Sequence, residues 1–161
     1  MKKNILMIIA LILIDQIVKI IIFNTIGTSG ETITIIPKLL SLTYVENIGA
    51  AFGIFGERLI LIGVNIVIIF VIIKLLASKK NQLVKSAKIG MSLVLAGGIG
   101  NLIDRIFRGY VIDYFDITQL FNYPVFNFAD ICIVLGVVIL FVTILINTVK
   151  SQESINDRTQ G

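Results

Sequence analysis

Four stretches of this chain are long and apolar enough to cross a bilayer, and that restricts its fold more than anything else in the sequence. A helix needs about 20 mostly apolar residues to span the hydrocarbon core. The runs "ILMIIALILIDQIVKIIIF" (5–23), "LILIGVNIVIIFVIIKLLA" (59–77) and "ICIVLGVVILFVTILINTV" (131–149) meet that requirement. "IGMSLVLAGGIGNLI" (89–103) is shorter and glycine-rich, and reads as a span extended at both ends. Backbone polar groups in lipid must be paired within the segment, so each run predicts a helix. The composition agrees: 57% hydrophobic, 15% charged, mean hydropathy +0.99. The expected fold class is an all-α integral membrane protein with four transmembrane helices.

The first run follows Lys2 and Lys3, as a cleaved leader would. No A-x-A-like site follows, however, and the apolar run continues past Asp15 to Phe23, so it is read as a retained span. Orientation follows the Lys/Arg bias of short loops. Lys2, Lys3 and the linker lysines 79, 80, 85 and 88 place the N-terminus and the second loop in the cytoplasm. Four spans return the C-terminus there as well. The opposite loops, 24–58 and 104–129, carry Glu31, Glu46, Glu57, Asp104, Asp113 and Asp116, with Asp130 at the edge of the last span. Within 31–56, "TITII" and "LTYV" read as short strands of a small extracytoplasmic β-sheet, with Pro37 at an edge or turn. Residues 106–128 read as a second extracytoplasmic loop. Residues 1–150 then form a single four-span domain, followed by a polar cytoplasmic tail, 151–161, expected to lack regular structure.

The residue inventory narrows the chemistry. The chain has no histidine and one cysteine, Cys132, so His-based triads and an intrachain disulfide are excluded and a zinc site is improbable. No metal or other cofactor is expected. The net charge of +4 comes from lysines placed by membrane topology, and nothing points to nucleic acid.

Several polar residues are costly where they stand. Asp15 and Lys19 share a helix face four residues apart and read as a structural ion pair. "VENIGAAFGIF" offers Asn47 beside the small residues Gly49, Ala50, Ala51 and Gly53, which permit close approach of a ligand or backbone. "LAGGIGNLIDRIFRGYVIDYFDI" is the densest region. Ala96 and Gly100 form a close-packing pair, Gly97 and Gly98 loosen the helix, and Asn101, Asp104 and Arg105 arrive together at its end. Asp113 and Asp116 follow. In "FNFAD", Asn127 reads as an N-cap, and Asp130 gains about 0.3–1 kcal/mol from the helix dipole. Capping alone would account for that motif, but the last two spans are antiparallel neighbours, so Asp104, Asp113, Asp116 and Asp130 gather at one end. Two carboxylates sharing a proton at an apolar boundary suggest amide hydrolysis by an aspartic mechanism. The residues alone do not separate Asp104 from Asp113 as one of the two. Two rivals are a non-enzymatic four-span subunit or small cation or proton transporter, and a Ser–Lys peptidase using Ser41 and Lys38. The first wants acids lining a path at mid-bilayer, the second an oxyanion site, and neither feature is evident.

Taken in order, "DQIVK", "NIGAAFGI", "GNLIDR", "GYVIDYFD" and "FNFAD" resemble the lipoprotein signal peptidases of bacteria, also called signal peptidase II, over roughly residues 10–145. The resemblance implies a monomeric aspartic endopeptidase of the bacterial cytoplasmic membrane, working among membrane lipids. Its substrate would be a diacylglyceryl-modified prolipoprotein, cut just before the lipidated cysteine at the extracytoplasmic face. The family's catalytic aspartates match Asp113 and Asp130. Its substrate-contacting and site-supporting residues match Asn47, Asn101, Asp104, Arg105 and Asn127, and Asp15 and Lys19 match its first-span motif. Glu46 stands where many relatives carry a basic or aromatic residue.

Overall fold

The computed structural model describes residues 2–49, 55–78, 83–118 and 120–160. The expectations for Ala50, Ala51, Gly53, Lys79 and Lys80 lie outside the described residues. The helices are α1 (Lys2–Ile22), α2 (Phe55–Ala77), α3 (Lys85–Phe107) and α4 (Phe128–Gln160). Four candidate membrane spans follow from them: Lys2–Gly27, Leu59–Ala77, Lys85–Phe107 and Phe128–Gln152. The chain is a multi-pass membrane protein, mostly helical, with a small three-stranded sheet. Its outward side chains, such as Ile60, Val67 and Phe70 on α2, are apolar and exposed, as surfaces facing lipid are.

Two expectations about helices need correction. The polar composition of the 151–161 tail predicts no regular structure, yet α4 runs on to Gln160. No glycine or proline interrupts 137–160, so nothing in the polar stretch stops a helix already propagating. Gly97 and Gly98 do not loosen α3, which is continuous through both. They are points of contact. A Cβ at Gly97 would strike the Ala129 carbonyl oxygen and lie 2.8 Å from Ile133 Cγ1, and one at Gly98 would lie 3.1 Å from Asn65 Oδ1. Farther along the same seam, a Cβ at Gly90 would lie 2.9 Å from the Gly136 carbonyl oxygen. Missing side chains therefore let α3 and α4 meet backbone to backbone, the means by which helices associate in lipid. α3 is central, packing on α1, α2 and α4.

The sheet has the order β1-β2-β3, all antiparallel, with β1 (Ile33–Ile36), β2 (Leu40–Asn47) and β3 (Val111–Asp116). β1 and β2 fall where strands were expected. β3 replaces part of the expected second loop: "VIDYFD" pairs with β2, Val45 opposite Asp113 and Asn47 opposite Val111. The following chain doubles back beside β3, where Phe115 and Phe126 exchange backbone hydrogen bonds of 2.7 and 3.1 Å. The sheet is fixed to the end of α1. That helix closes in a π-helical turn, Phe23–Gly27, where Thr25 Oγ1 donates to the Ile21 carbonyl (2.7 Å). Ile22 and Ile26 pack there against Ile112 and Tyr114.

Candidate active site

The site lies where α1 and α3 end, α4 begins and β3 passes between them. The start of α4 must satisfy the free N–H groups of its first turn. Phe128 N donates to Tyr114 Oη (3.2 Å), Ala129 N to Asp15 Oδ1 (3.2 Å) and Asp130 N to Asn127 Oδ1 (3.0 Å). Asp130 Oδ2 in turn accepts Asn127 N (3.1 Å), the reciprocal exchange of a capping box. So the capping role expected of Asn127 is present, and it holds Asp130 in place. Asp130 keeps its second oxygen, Oδ1, for Asn101 Nδ2 at 2.8 Å.

Asp113 is buried on β3, at 2% exposure. Its Oδ1 accepts Asn127 Nδ2 (2.6 Å) and its Oδ2 accepts Asn47 Nδ2 (2.7 Å). Asn127 thus touches both carboxylates, and its Nδ2 also reaches Asn101 Oδ1 (3.1 Å). Asn47 is oriented by Gly49, whose N–H donates to Asn47 Oδ1 (2.8 Å) from a left-handed turn at φ 72° that favours glycine. Burial pushes the Asp113 carboxyl up to about 6, against the two amide hydrogen bonds, and the charge of Asp130 pushes in the same direction as burial. Arg105, on α3, interacts electrostatically with Asp130, Asp113 and Asp104, in that order.

Asp104 is placed differently. It is fully buried, with Lys19 Nζ 3.0 Å from its Oδ2 and Arg108 paired to its Oδ1. Ile112 N (3.2 Å) and Gln16 Nε2 (3.2 Å) complete its partners. Lys19 also pairs with Asp15 (3.0 Å), as expected, and donates to Asn101 Oδ1 at 2.9 Å. Asp116 instead meets Thr118, its Oδ1 accepting Thr118 N (2.8 Å), and hydrogen bonding from the Thr118 side chain and then its backbone N–H holds the carboxyl below the usual range. Lys38 sits in the β1–β2 turn and Ser41 in β2, opposite Asp116.

An open cleft of about 580 Å³ leads to Asp113, lined by Asn47, Gly49, Pro124 and Val125 among others. Among the described residues there is no cluster of three or more His, Cys, Asp or Glu able to hold a metal ion. Three contributors escaped sequence reasoning: Gln16, Arg108 and Tyr114. Arg108, four residues after Asp104, carried a pairing signal. Tyr114 did not, because the N–H it serves belongs to another element.

The sequence model of the family described as signal peptidase (SPase) II matches residues 7–146. Curated relatives named lipoprotein signal peptidase include one from Clostridium acetobutylicum, 39% identical over 86% of this chain and 91% of its own. Another, from Lactococcus lactis, is 40% identical over 90% of this chain and 96% of its own. Two solved structures described as bacterial membrane enzymes superpose with TM-scores of 0.79 and 0.80, at 29% and 30% identity. They cover 92% and 90% of this chain, and 90% and 94% of their own. With the family model spanning nearly all of the membrane region, the chain belongs to the signal peptidase II family.

Proposed function

We propose that this chain removes signal peptides from prolipoproteins with Asp113 and Asp130 as its catalytic pair. The observation that carries the reading is the shared bridge. Asn127 donates to Asp113 while its backbone N–H and side-chain oxygen serve Asp130, so the two carboxylates are held in register about one amide. Asp130 lies in the first turn of α4, at the positive end of the helix dipole, and is the member of the pair that receives the proton from water. Asp113, raised by burial, carries the shared proton.

The reaction then follows. Asp130 takes a proton from water as its oxygen attacks the scissile carbonyl carbon, and Asp113 donates its proton to the carbonyl oxygen. As the tetrahedral intermediate collapses, Asp130 protonates the leaving nitrogen and Asp113 recovers its proton from the hydroxyl. The C–N bond breaks, and both carboxyls regain their starting states.

The substrate is a diacylglyceryl-modified prolipoprotein, cut on the amino side of the lipidated cysteine. The chain lies in the bacterial cytoplasmic membrane as a monomer, both termini cytoplasmic, with this site at the extracytoplasmic interface among lipid headgroups. The lysine bias of the N-terminus and the second loop supports that orientation. The cleft beside Asp113, between β2 and residues 124–125, receives the peptide, and Asn47, Asn101, Arg105 and Asn127 hold carboxylates and substrate in place. Asp15, Lys19 and Asp104 support them.

The test is cleavage of a diacylglyceryl-modified prolipoprotein peptide by protein purified in detergent. Asp113→Asn and Asp130→Asn should stay folded and lose cleavage. If the folded wild type does not cut, the enzymatic reading gives way to a non-catalytic membrane subunit. If Asp113→Asn still cuts, the pair is misassigned.

A further inference from the structure

We propose that Lys19, in the first span, is a positioning residue for Asp130, acting through the side-chain amide of Asn101. The inference rests on the Asp113–Asp130 reading above. Three asparagines donate to that pair, and each could present either its NH₂ or its oxygen. Backbone N–H groups settle two of them: Gly49 N holds the Asn47 oxygen and Asp130 N holds the Asn127 oxygen. For Asn101 the donors to the oxygen are Lys19 Nζ at 2.9 Å and Asn127 Nδ2 at 3.1 Å. Asn127 Nδ2 is shared with Asp113 at 2.6 Å, so the charged ammonium is the stronger hold. Reversing Asn101 would set its NH₂ against those two donors and its oxygen against the Asp130 carboxylate. Lys19 therefore fixes which end of Asn101 meets Asp130.

Lys19 is built for this. It is fully buried, and its three donors meet three acceptors at 2.9–3.0 Å: Asp15 Oδ2, Asp104 Oδ2 and Asn101 Oδ1. Two of its hydrogens meet carboxylates, and the third meets the amide oxygen of Asn101, whose NH₂ donates to Asp130. A packing pair with Asp15 would not require that third contact. Around Asp130 the other groups are Arg105 from α3, Asp113 from β3 and Asn127 of its own turn. The Lys19 charge is also felt at Asp113. Removing it withdraws a positive charge from near Asp113, which favours its protonated form. The alkaline limb of the pH–rate profile should move to higher pH.

Lys19→Met alone leaves buried Asp15 without a cation and Asp104 with Arg108 only, and a fold lost for that reason would imitate a catalytic effect. The informative variant is Asp15→Asn with Lys19→Met, which removes one charge of each sign and leaves Asp104 paired with Arg108. Its control is Asp15→Asn alone, in which the new amide oxygen can still accept Ala129 N. The readout is kcat/KM against pH for the lipidated peptide, with thermal unfolding in detergent as the check on folding. Relative to the control, the folded double variant should lose about tenfold or more and shift the alkaline limb of its profile upward by about half a pH unit or more. A profile of reduced height at the control's position would overturn the proposal and leave Lys19 as packing alone. Failure of the underlying reading shows separately, in proteins with Lys19 intact: a folded wild type that does not cleave, or an Asp113→Asn variant that does.

Discussion

Gly97→Ala adds one methyl group at the point where α3 touches the start of α4, and its consequences can be worked from distances. The new Cβ would overlap the Ala129 carbonyl oxygen and lie 2.8 Å from Ile133 Cγ1. The Ile133 contact alone needs about 0.6 Å of movement to reach an ordinary 3.4 Å separation, and the carbonyl, being backbone, has no rotamer by which to escape. The separation must come from α4 moving off α3. Ala129 precedes Asp130, so the same shift stretches the Asn101–Asp130 hydrogen bond from 2.8 Å to about 3.4 Å, where it is nearly lost. Overpacking of this kind costs about 1–3 kcal/mol. A misplacement approaching 1 Å at a reacting group lowers kcat/KM by about tenfold to a hundredfold. Gly63→Ala is the matched control. Beyond its own chain neighbours and helix backbone, nothing lies within 4 Å of its added Cβ, and alanine gains up to about 1 kcal/mol over glycine in a helix. Thermal unfolding in detergent and cleavage of the lipidated peptide should therefore separate the two variants, with only Gly97→Ala losing both stability and activity. A Gly97→Ala protein with wild-type midpoint and kcat/KM would refute the close backbone approach and the dependence of Asp130 on it.

Other expectations follow from the same geometry. Asp104→Asn deprives buried Lys19 and half-buried Arg108 of a carboxylate and should destabilise the fold by about 3 kcal/mol, while protein that remains folded still cleaves. Tyr114→Phe leaves Phe128 N without its acceptor and should cost about 1–3 kcal/mol in unfolding, with a parallel fall in kcat/KM. The Asp113 carboxyl is raised from 3.8 to about 6, so the folded chain binds that proton more tightly than the unfolded chain does. Its stability contribution is fully present below 3.8 and is lost as pH rises through about 6, a trend that should vanish in Asp113→Asn. With protonated Asp113 required, kcat/KM should fall on the alkaline side with a midpoint near 6, and a profile rising through that range would exclude Asp113 as the proton donor.

The spans were legible because lipid enforces a simple rule, and apolar length alone located all four helices. The third span was the hardest to read, since ten of its residues are buried, many of them small or polar. Such positions lower hydropathy because they serve helix contact and the site. Strand β3 escaped because Val111, Ile112, Asp113 and Tyr114 are all buried, which erases the alternation that marks a half-buried strand. Its β-branched and aromatic residues were the remaining signal. Whereas Gln16, Arg108 and Tyr114 were not, Asp15, Lys19, Asn101, Asp104, Arg105, Asn127 and Asp130 were identifiable as polar residues misplaced in an apolar chain. Their division into groups was not, because Asp104 and Asp113 differ in what reaches them from α1, β2 and α4, and sequence spacing carries none of that.

That division is the physical core of the site. Asp15 and Asp104 meet the ammonium of Lys19, and Asp104 also meets Arg108. The oxygens of a buried carboxylate paired with cations are occupied by charges that it would cost several kcal/mol to abandon. Such a group holds helices together and is a poor acid or base. Asp113 and Asp130 are held by hydrogen bonds from side-chain amides and one backbone N–H, with the charge of Arg105 acting on both from α3. Neutral donors of this kind orient a carboxyl while leaving its proton affinity within reach of ordinary pH, as the raised Asp113 illustrates. The asparagines orient all four oxygens through side-chain amides and the Asn127 N–H, so the position of each carboxyl does not depend on an ion pair with a lysine. On this argument, a lysine reaching Asp113 would keep the geometry and end the reaction. Asn47→Lys, folded and with its ammonium on Asp113 Oδ2, should be inactive at every pH at which the wild type cleaves. If that variant retained its alkaline limb near 6, the distinction between amide-held and cation-held carboxylates would not be what separates Asp113 from Asp104.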